Sequence, residues 1–347
     1  MYKIEKIFRT AVQYKASDIF ISAGIKPTLR INGELVPIKE HPELTKQMAE
    51  DYLIEIMSPP QKTKFEQTMD LDFSLEIENI ARFRANLFVQ RKGIGAVFRL
   101  ISENIKSMDE LGLPQQLKKS CNMPNGLVIV TGPTGSGKTT TLAAMVLEIN
   151  KNQKKHIITI EDPIEYVHKN IQCIIQQREV GIHTHSFAKA LRSALREDPD
   201  VILLGEMRDL ETMQNAITAA ETGHLVFATL HTNGAANSVN RIIDSFPVDQ
   251  QNQIRTQLSE TMRAVFWQSL IKTKDEKGRV GAIEAMFVNN AIANMIRKGN
   301  THQIDSVIET STKDGMQTMK KAVTDLFQAG LITEERALHH IPKEFEV

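Results

Sequence analysis

The sharpest chemistry in the sequence lies in Gly132-Pro133-Thr134-Gly135-Ser136-Gly137-Lys138-Thr139. These residues fit G-x-x-x-x-G-K-[ST], the spacing of a phosphate-binding loop. Glycines let successive backbone N–H groups turn toward phosphate oxygens. The helix expected over 140–150 starts at Thr140, so the positive end of its dipole falls on the same place. In such a loop Lys138 reaches the outer phosphates and the Thr139 hydroxyl ligates Mg²⁺. A plain glycine-rich turn would also explain the glycines. The strand expected at Leu127–Thr131 and the helix that follows, in that order, favour the phosphate loop.

Hydrolysis of a nucleoside triphosphate needs two more groups: a carboxylate for the metal and one for the attacking water. In open α/β sheets such groups sit at the carboxyl ends of strands, beside the phosphate loop. Two apolar runs end that way. Val201-Ile202-Leu203-Leu204 leads into Gly205-Glu206, and His156–Ile160 leads into Glu161-Asp162-Pro163-Ile164-Glu165. Glu206 and Glu165 are the candidates, with Glu161 and Asp162 beside them. The competing reading is that acidic residues after strands cap helices, and that Asp162-Pro163 is only a turn. His224 and His231 bracket the run Leu225–Ala228. Their spacing is not that of zinc ligands. A histidine after such a strand either senses the terminal phosphate or makes a structural hydrogen bond. His183-Thr184-His185 resembles a metal pair but reads as part of a solvated loop.

A parallel sheet is what these groups need to hold them. From about Gly126, short unbroken apolar runs (127–131, 156–160, 201–205, 225–230) alternate with helical stretches, as in parallel strands covered on both faces. After Gly281 the pattern reads helical to the end, with Gly330 closing one helix and Thr333 capping the next. The first hundred residues differ. Ile4, Ile7, Phe8 and Val12 share a helix face. Ile19–Ser22 reads as a strand, and Leu29–Val36 as a hairpin around Asn32-Gly33. Thr45 caps a helix that runs to about Met57, where Ser58-Pro59-Pro60 ends it. Leu71, Phe73, Leu75 and Ile77 alternate, as do Phe83, Ala85, Leu87 and Val89, and a turn at 93–95 leads to a last strand at 96–100. The expected organisation is a small α+β domain at 1–100, a linker at 101–122, and an α/β domain at 123–347 whose last part, from about 282, is helical.

Composition narrows the class. A chain of 347 residues suggests two domains. Lys+Arg and Asp+Glu both number 42, and this zero balance argues against a dedicated nucleic-acid binder. Cys121 and Cys173 are too few for a disulfide framework or a four-cysteine zinc site, which makes a cytosolic location the default. No apolar run approaches the roughly 20 residues of a membrane span, and the N-terminus lacks a signal-peptide core. Membrane association is expected only through a partner or a surface.

Taken together, the phosphate loop, Glu161–Glu165, Val201–Glu206 and His224–His231 resemble the Walker A, Asp box, Walker B and His box of bacterial secretion ATPases. The similarity runs along the whole chain: Ala16-Ser17-Asp18, Ala81-Arg82-Phe83-Arg84, Gln177-Arg178-Glu179-Val180, the run 190–200 and Gly315-Met316-Gln317-Thr318 all resemble the type IV pilus retraction ATPases of twitching motility, the PilT group. The resemblance implies an α/β fold with a PAS-like N-terminal α+β domain and a RecA-like phosphate-loop domain, assembled as a homohexameric ring that binds ATP with Mg²⁺ between domains. It implies Glu165 as general base, Glu206 as helping to hold Mg²⁺, and His224 and His231 as coupling nucleotide state to domain movement. Arg82, Arg84 and Arg99 are implied to reach ATP; read from alternation alone, Arg82 and Arg84 share a strand face that could simply be solvated. An inner-membrane pilus platform protein is the implied partner, with a paralogous pilus ATPase as a second, at the inner face of the cytoplasmic membrane. Extension ATPases of the superfamily are longer at the N-terminus and usually carry four metal-binding cysteines, so the retraction branch is expected. One segment departs. Retraction ATPases typically carry Ala-Ile-Arg-Asn-Leu-Ile-Arg-Glu where this chain has Ala291-Ile292-Ala293-Asn294-Met295-Ile296-Arg297-Lys298. That leaves an accessory retraction ATPase as an alternative, and a nucleotide-gated assembly partner with little hydrolysis as another.

Overall fold

The computed structural model describes residues 3–31, 33–101 and 104–341. The chain divides between Asn104 and Ile105 into two compact units.

In the first unit, helix α1 (Glu5–Gln13) buries Ile7, Phe8 and Ala11. Phe8 stacks on Phe83 with ring centroids 4.5 Å apart and meets Phe98 edge-on at 5.0 Å. Strands β1 (Asp18–Ile21), β2 (Thr28–Ile31) and β3 (Glu34–Pro37) precede helices α2 (Lys46–Glu55) and α3 (Pro59–Thr68). Strands β4 (Asp70–Ile77), β5 (Ala81–Gln90) and β6 (Gly93–Ile101) complete an antiparallel sheet in the order β3-β2-β1-β6-β5-β4. Asn32, half of the expected Asn-Gly turn, lies outside the described residues; Gly33 has φ +91°. Thr45 caps α2, its side-chain oxygen accepting from the Met48 N–H. Ser58-Pro59-Pro60 was expected only to end a helix, but it also opens α3. Proline at the first helical position has its φ pre-set and no N–H to forfeit, and Gln61 Oε1 accepts from the Ser58 N–H at 2.8 Å.

The second unit begins inside the expected linker. Helix α4 (Gln116–Cys121) is folded, and Met108, Leu113, Leu117 and Cys121 are buried in one core with Val128, Met145 and Phe227. These four apolar side chains, too few for a visible period, are what the sequence pattern did not reveal. Then follow β7 (Gly126–Thr131), α5 (Lys138–Asn152), β8 (His156–Glu161), β9 (Ile174–Glu179), α6 (Phe187–Ala194), β10 (Val201–Leu204), α7 (Leu210–Glu221), β11 (Leu225–Leu230), α8 (Ala235–Asp244) and α9 (Gln251–Thr261). Two strands, β12 (Met262–Lys272) and β13 (Arg279–Phe287), come next, so the chain is not purely helical after Gly281. Helices α10 (Asn290–Lys298), α11 (Ile304–Thr310), α12 (Met319–Gln328) and α13 (Glu334–His340) follow, with Gly330 in the left-handed region after α12 and Thr333 capping α13.

The sheet runs β13-β12-β7-β11-β10-β8-β9. It is parallel except for β13 against β12. Strands β7, β10 and β11 are buried throughout. Alternate residues point to opposite faces, which explains the unbroken apolar runs. Leu127 and Ile129 join α6 to α11 in one core, while Val128 and Val130 join α4 and α5 in the other. This sandwich fixes the carboxyl ends of β7, β8, β10 and β11 side by side. Among the described residues no helix is long and apolar enough to cross a membrane.

Candidate functional site

The phosphate loop leaves β7 at Thr131 and enters α5 at Lys138. Gly132 and Gly137 have φ of +144° and +88°, conformations that L side chains rarely adopt. Lys138 is buried, and its Nζ donates to the Gly132 and Pro133 carbonyls at 2.8 and 3.0 Å. Burial pushes its pKa below the ordinary lysine value, and the nearby Glu206 charge pulls the other way. Gly135 and Thr139 are exposed, whereas Ser136 is buried and its Oγ has no hydrogen-bond partner among the described residues. An orphaned hydroxyl in a glycine cradle, beside a lysine and a helix N-terminus, fits a phosphate chain.

Glu206 stands just beyond β10, after Gly205. Its Oε2 lies 2.8 Å from Arg208 Nη2 and its Oε1 lies 3.3 Å from His231 Nε2. Burial alone would raise its pKa, but the Arg208 hydrogen bond and the charges of Arg208, His231 and Lys138 outweigh it and hold the carboxyl below the usual range. Glu206, Lys138 and His231 therefore share one electrostatic neighbourhood. An ionised carboxylate and the exposed Thr139 hydroxyl are hard oxygen donors of the kind Mg²⁺ takes. Gly205 lets this strand end approach β8: a Cβ there would sit 3.3 Å from Glu161 Cα. The Thr131 hydroxyl lies 2.8 Å from that of Thr232 and so ties the start of the loop to the residue after His231.

Beyond β8, Glu161 is buried and accepts hydrogen bonds from the Thr159 hydroxyl (2.6 Å) and the Gln177 amide (3.2 Å). Its pKa is raised, chiefly by burial, with the Glu165 charge adding to the rise against the hydrogen bonds from Thr159, Gln177 and the Glu165 backbone. Glu161 is thus an anchor for the turn that carries Glu165. Tyr166, next in the chain, brings its hydroxyl 2.9 Å from Thr140 Oγ1 on α5, which pins that turn to the phosphate-loop helix. Asp162 is exposed.

Other expected groups belong to other elements. His224 precedes β11 and His231 follows it, so they stand at opposite ends of a strand of roughly 20 Å. His224 Nδ1 is 3.0 Å from the Ala219 carbonyl, closing α7, and the chain does not bring it to the phosphate loop. The His183 ring accepts from the Glu179 N–H at 3.0 Å, and among the described residues no group of His, Cys, Asp and Glu could hold a metal ion by itself. Arg82, Arg84 and Arg99 all belong to the first unit. Arg82 and Arg84 occupy the half-exposed face of β5, Arg84 stands opposite Arg99 of β6, and Arg99 Nε donates to Asp18 Oδ1 at 3.0 Å. Sequence reasoning missed Arg208, Tyr166, Thr232 and Gln268. Arg208 left one signal, a cation two residues beyond the strand-end carboxylate.

A twisted, mainly parallel sheet with a phosphate loop after one inner strand and a carboxylate after another defines a RecA-like nucleotide-binding unit of the α/β class. The chain belongs to the type II/IV secretion system protein family, which matches residues 1–337. It is 47% identical over 336 residues to a twitching motility protein of Neisseria gonorrhoeae, covering 97% of this chain and 90% of the relative. It is 46% identical over 344 residues to the type IV pilus retraction ATPase PilT of Pseudomonas aeruginosa, covering 99% of each. A crystal structure of the pilus retraction motor PilT with bound ADP superposes with a TM-score of 0.92 at 44% identity, covering 100% of this chain and 99% of that one.

Proposed function

We propose that this chain is an Mg²⁺-dependent ATPase motor that drives type IV pilus retraction. The observation that carries the reading is the convergence of Lys138, Glu206 and His231 at the carboxyl ends of β7, β10 and β11. In this reading the loop 132–138 and Thr140 cradle the phosphates. Lys138 exchanges its two loop carbonyls for phosphate oxygens, and Thr139 and Glu206 hold Mg²⁺, which when bound neutralises phosphate charge. Glu165 takes a proton from the attacking water as the water adds to the terminal phosphorus. His231, seated on Glu206, registers whether the terminal phosphate is present. Arg82, Arg84 and Arg99 supply positive charge to the same phosphate. The first unit is read as PAS-like, the ring as a homohexamer, and the workplace as the inner face of the cytoplasmic membrane, against a pilus platform protein. Phosphate release by the purified protein tests this. Glu206→Gln should retain nucleotide binding and lose most turnover, and wild-type turnover in that variant would refute the assignment.

A second reading, an accessory retraction ATPase that works beside a paralogue, draws support from α10. Ile292 and Ile296 are buried, while Asn294, Arg297 and Lys298 face solvent. Ala291 is exposed as well. Of the two altered positions, Lys298 is exposed and Ala293 is half-buried, so the charge change at 298 sits on a surface available to a partner.

A further inference from the structure

Strand β12 runs beside β7, and at Gln268 it meets the phosphate loop. Gln268 is buried, with 3% of its surface exposed. Its Nε2 donates to the Ser136 carbonyl at 2.8 Å, and its Oε1 accepts from the Thr141 hydroxyl at 2.7 Å. The amide can have only one orientation, because the Ser136 carbonyl has no proton to give. The backbone is just as close. A Cβ on Gly132 would fall 2.3 Å from the Gln268 carbonyl oxygen, and one on Gly137 would fall 2.9 Å from Gln268 Nε2. Both fixed glycines of the loop motif are thus abutted by this one residue.

We propose that Gln268 is a positioning residue for the phosphate loop: it grips the Ser136 carbonyl from behind and so keeps the neighbouring N–H groups directed at the phosphates. A loop of this kind binds anions only while its carbonyls point away and its N–H groups point in. Each peptide unit has one C=O and one N–H on opposite sides, so fixing the Ser136 carbonyl also fixes the N–H of Gly137. The Thr141 hydroxyl, on the first turn of α5, locks the other end of the amide. The side chain therefore couples loop, helix and strand through two buried hydrogen bonds. The role rests on the nucleotide-binding reading above.

The test is ADP binding by calorimetry on the full chain across pH 6 to 8.5, with wild type, Gln268→Glu and Gln268→Met. At the upper end a Glu carboxylate has no proton to donate to the Ser136 carbonyl, so affinity should fall at least tenfold relative to wild type. A buried carboxyl has a raised pKa. As the pH falls it becomes protonated, and its O–H and C=O then replace the amide's donor and acceptor. The affinity ratio to wild type at the same pH should recover toward one, and dividing by wild type removes pH effects common to both proteins. Met keeps the bulk and loses both bonds, so its deficit should stay at every pH. A general packing defect would not reverse with protonation. Gln268→Met binding ADP as wild type does, or a Gln268→Glu deficit that fails to shrink at pH 6 in a folded protein, would overturn the role of Gln268. A wild type that binds no ADP would overturn the nucleotide-binding reading instead.

Discussion

Replacing Lys138 with methionine should separate nucleotide recognition from fold stability. The side chain is buried, burial is the main cause of its lowered pKa, and its ammonium is held by two loop carbonyls at 2.8 and 3.0 Å. Methionine removes a desolvated cation, which favours the folded state, and leaves two carbonyls without that donor, which opposes it. The two offset, so Tm without nucleotide should move by no more than about 3 °C. With nucleotide the balance is different. Charge-assisted bonds from a lysine to phosphate contribute about 1.5–3 kcal/mol, so losing them weakens ADP about 100-fold at the upper end of that range. At an ADP concentration of about 100 times the wild-type Kd, binding stabilises wild type by about 2.7 kcal/mol and the variant by only about 0.4 kcal/mol. For a domain of this size that is a Tm rise of roughly 5–11 °C against 1–2 °C. Differential scanning calorimetry with and without ADP and Mg²⁺ measures both. A variant whose Tm still rises by the wild-type amount would refute the placement of Lys138 on the phosphates.

Three further predictions follow from the same geometry. Glu206 is held ionised against its burial chiefly by Arg208, so Arg208→Ala should move the acid limb of the kcat/KM profile to higher pH; an unmoved limb would show that another group sets it. Mixing inactive Lys138→Ala with inactive Arg84→Ala subunits should restore about a quarter of the sites if loop and arginine come from different chains of a ring, and none if they come from one chain; activity after verified subunit exchange decides. On α10, Lys298→Glu at an exposed position with Ala293→Arg at a half-buried one should leave ATP turnover within about twofold, since α10 packs on the face of the sheet opposite α5, and should raise pilus retraction frequency; a collapse of turnover would contradict the separation of the helix from the chemistry.

The motif-bearing strands were legible because each is a buried parallel strand, and such strands leave unbroken apolar runs that end at the site. Glu206 was legible for the same reason. Ser58-Pro59-Pro60 misled because proline marks both the end of one helix and the first turn of the next. β9 escaped notice because it is an edge strand with Ile174 exposed, which leaves no apolar run. The pair β12 and β13 mixes polar and apolar residues and so leaves no unbroken apolar run. Gln268, a single amide in the run Val265-Phe266-Trp267-Gln268, was the visible trace of a contact that only the third dimension explains. His224 and His231 bracket β11 as the sequence indicates, and the strand's length separates them.

The central claim, that ATP hydrolysis at this site drives pilus retraction, is tested most directly in cells. The gene is deleted, then complemented with wild type or Lys138→Ala at matched protein level, and surface pili and twitching are scored in each strain. The deletion and the Lys138→Ala strain should keep surface pili and lose twitching, while wild type restores it. Full twitching with Lys138→Ala, or loss of surface pili on deletion, would contradict it.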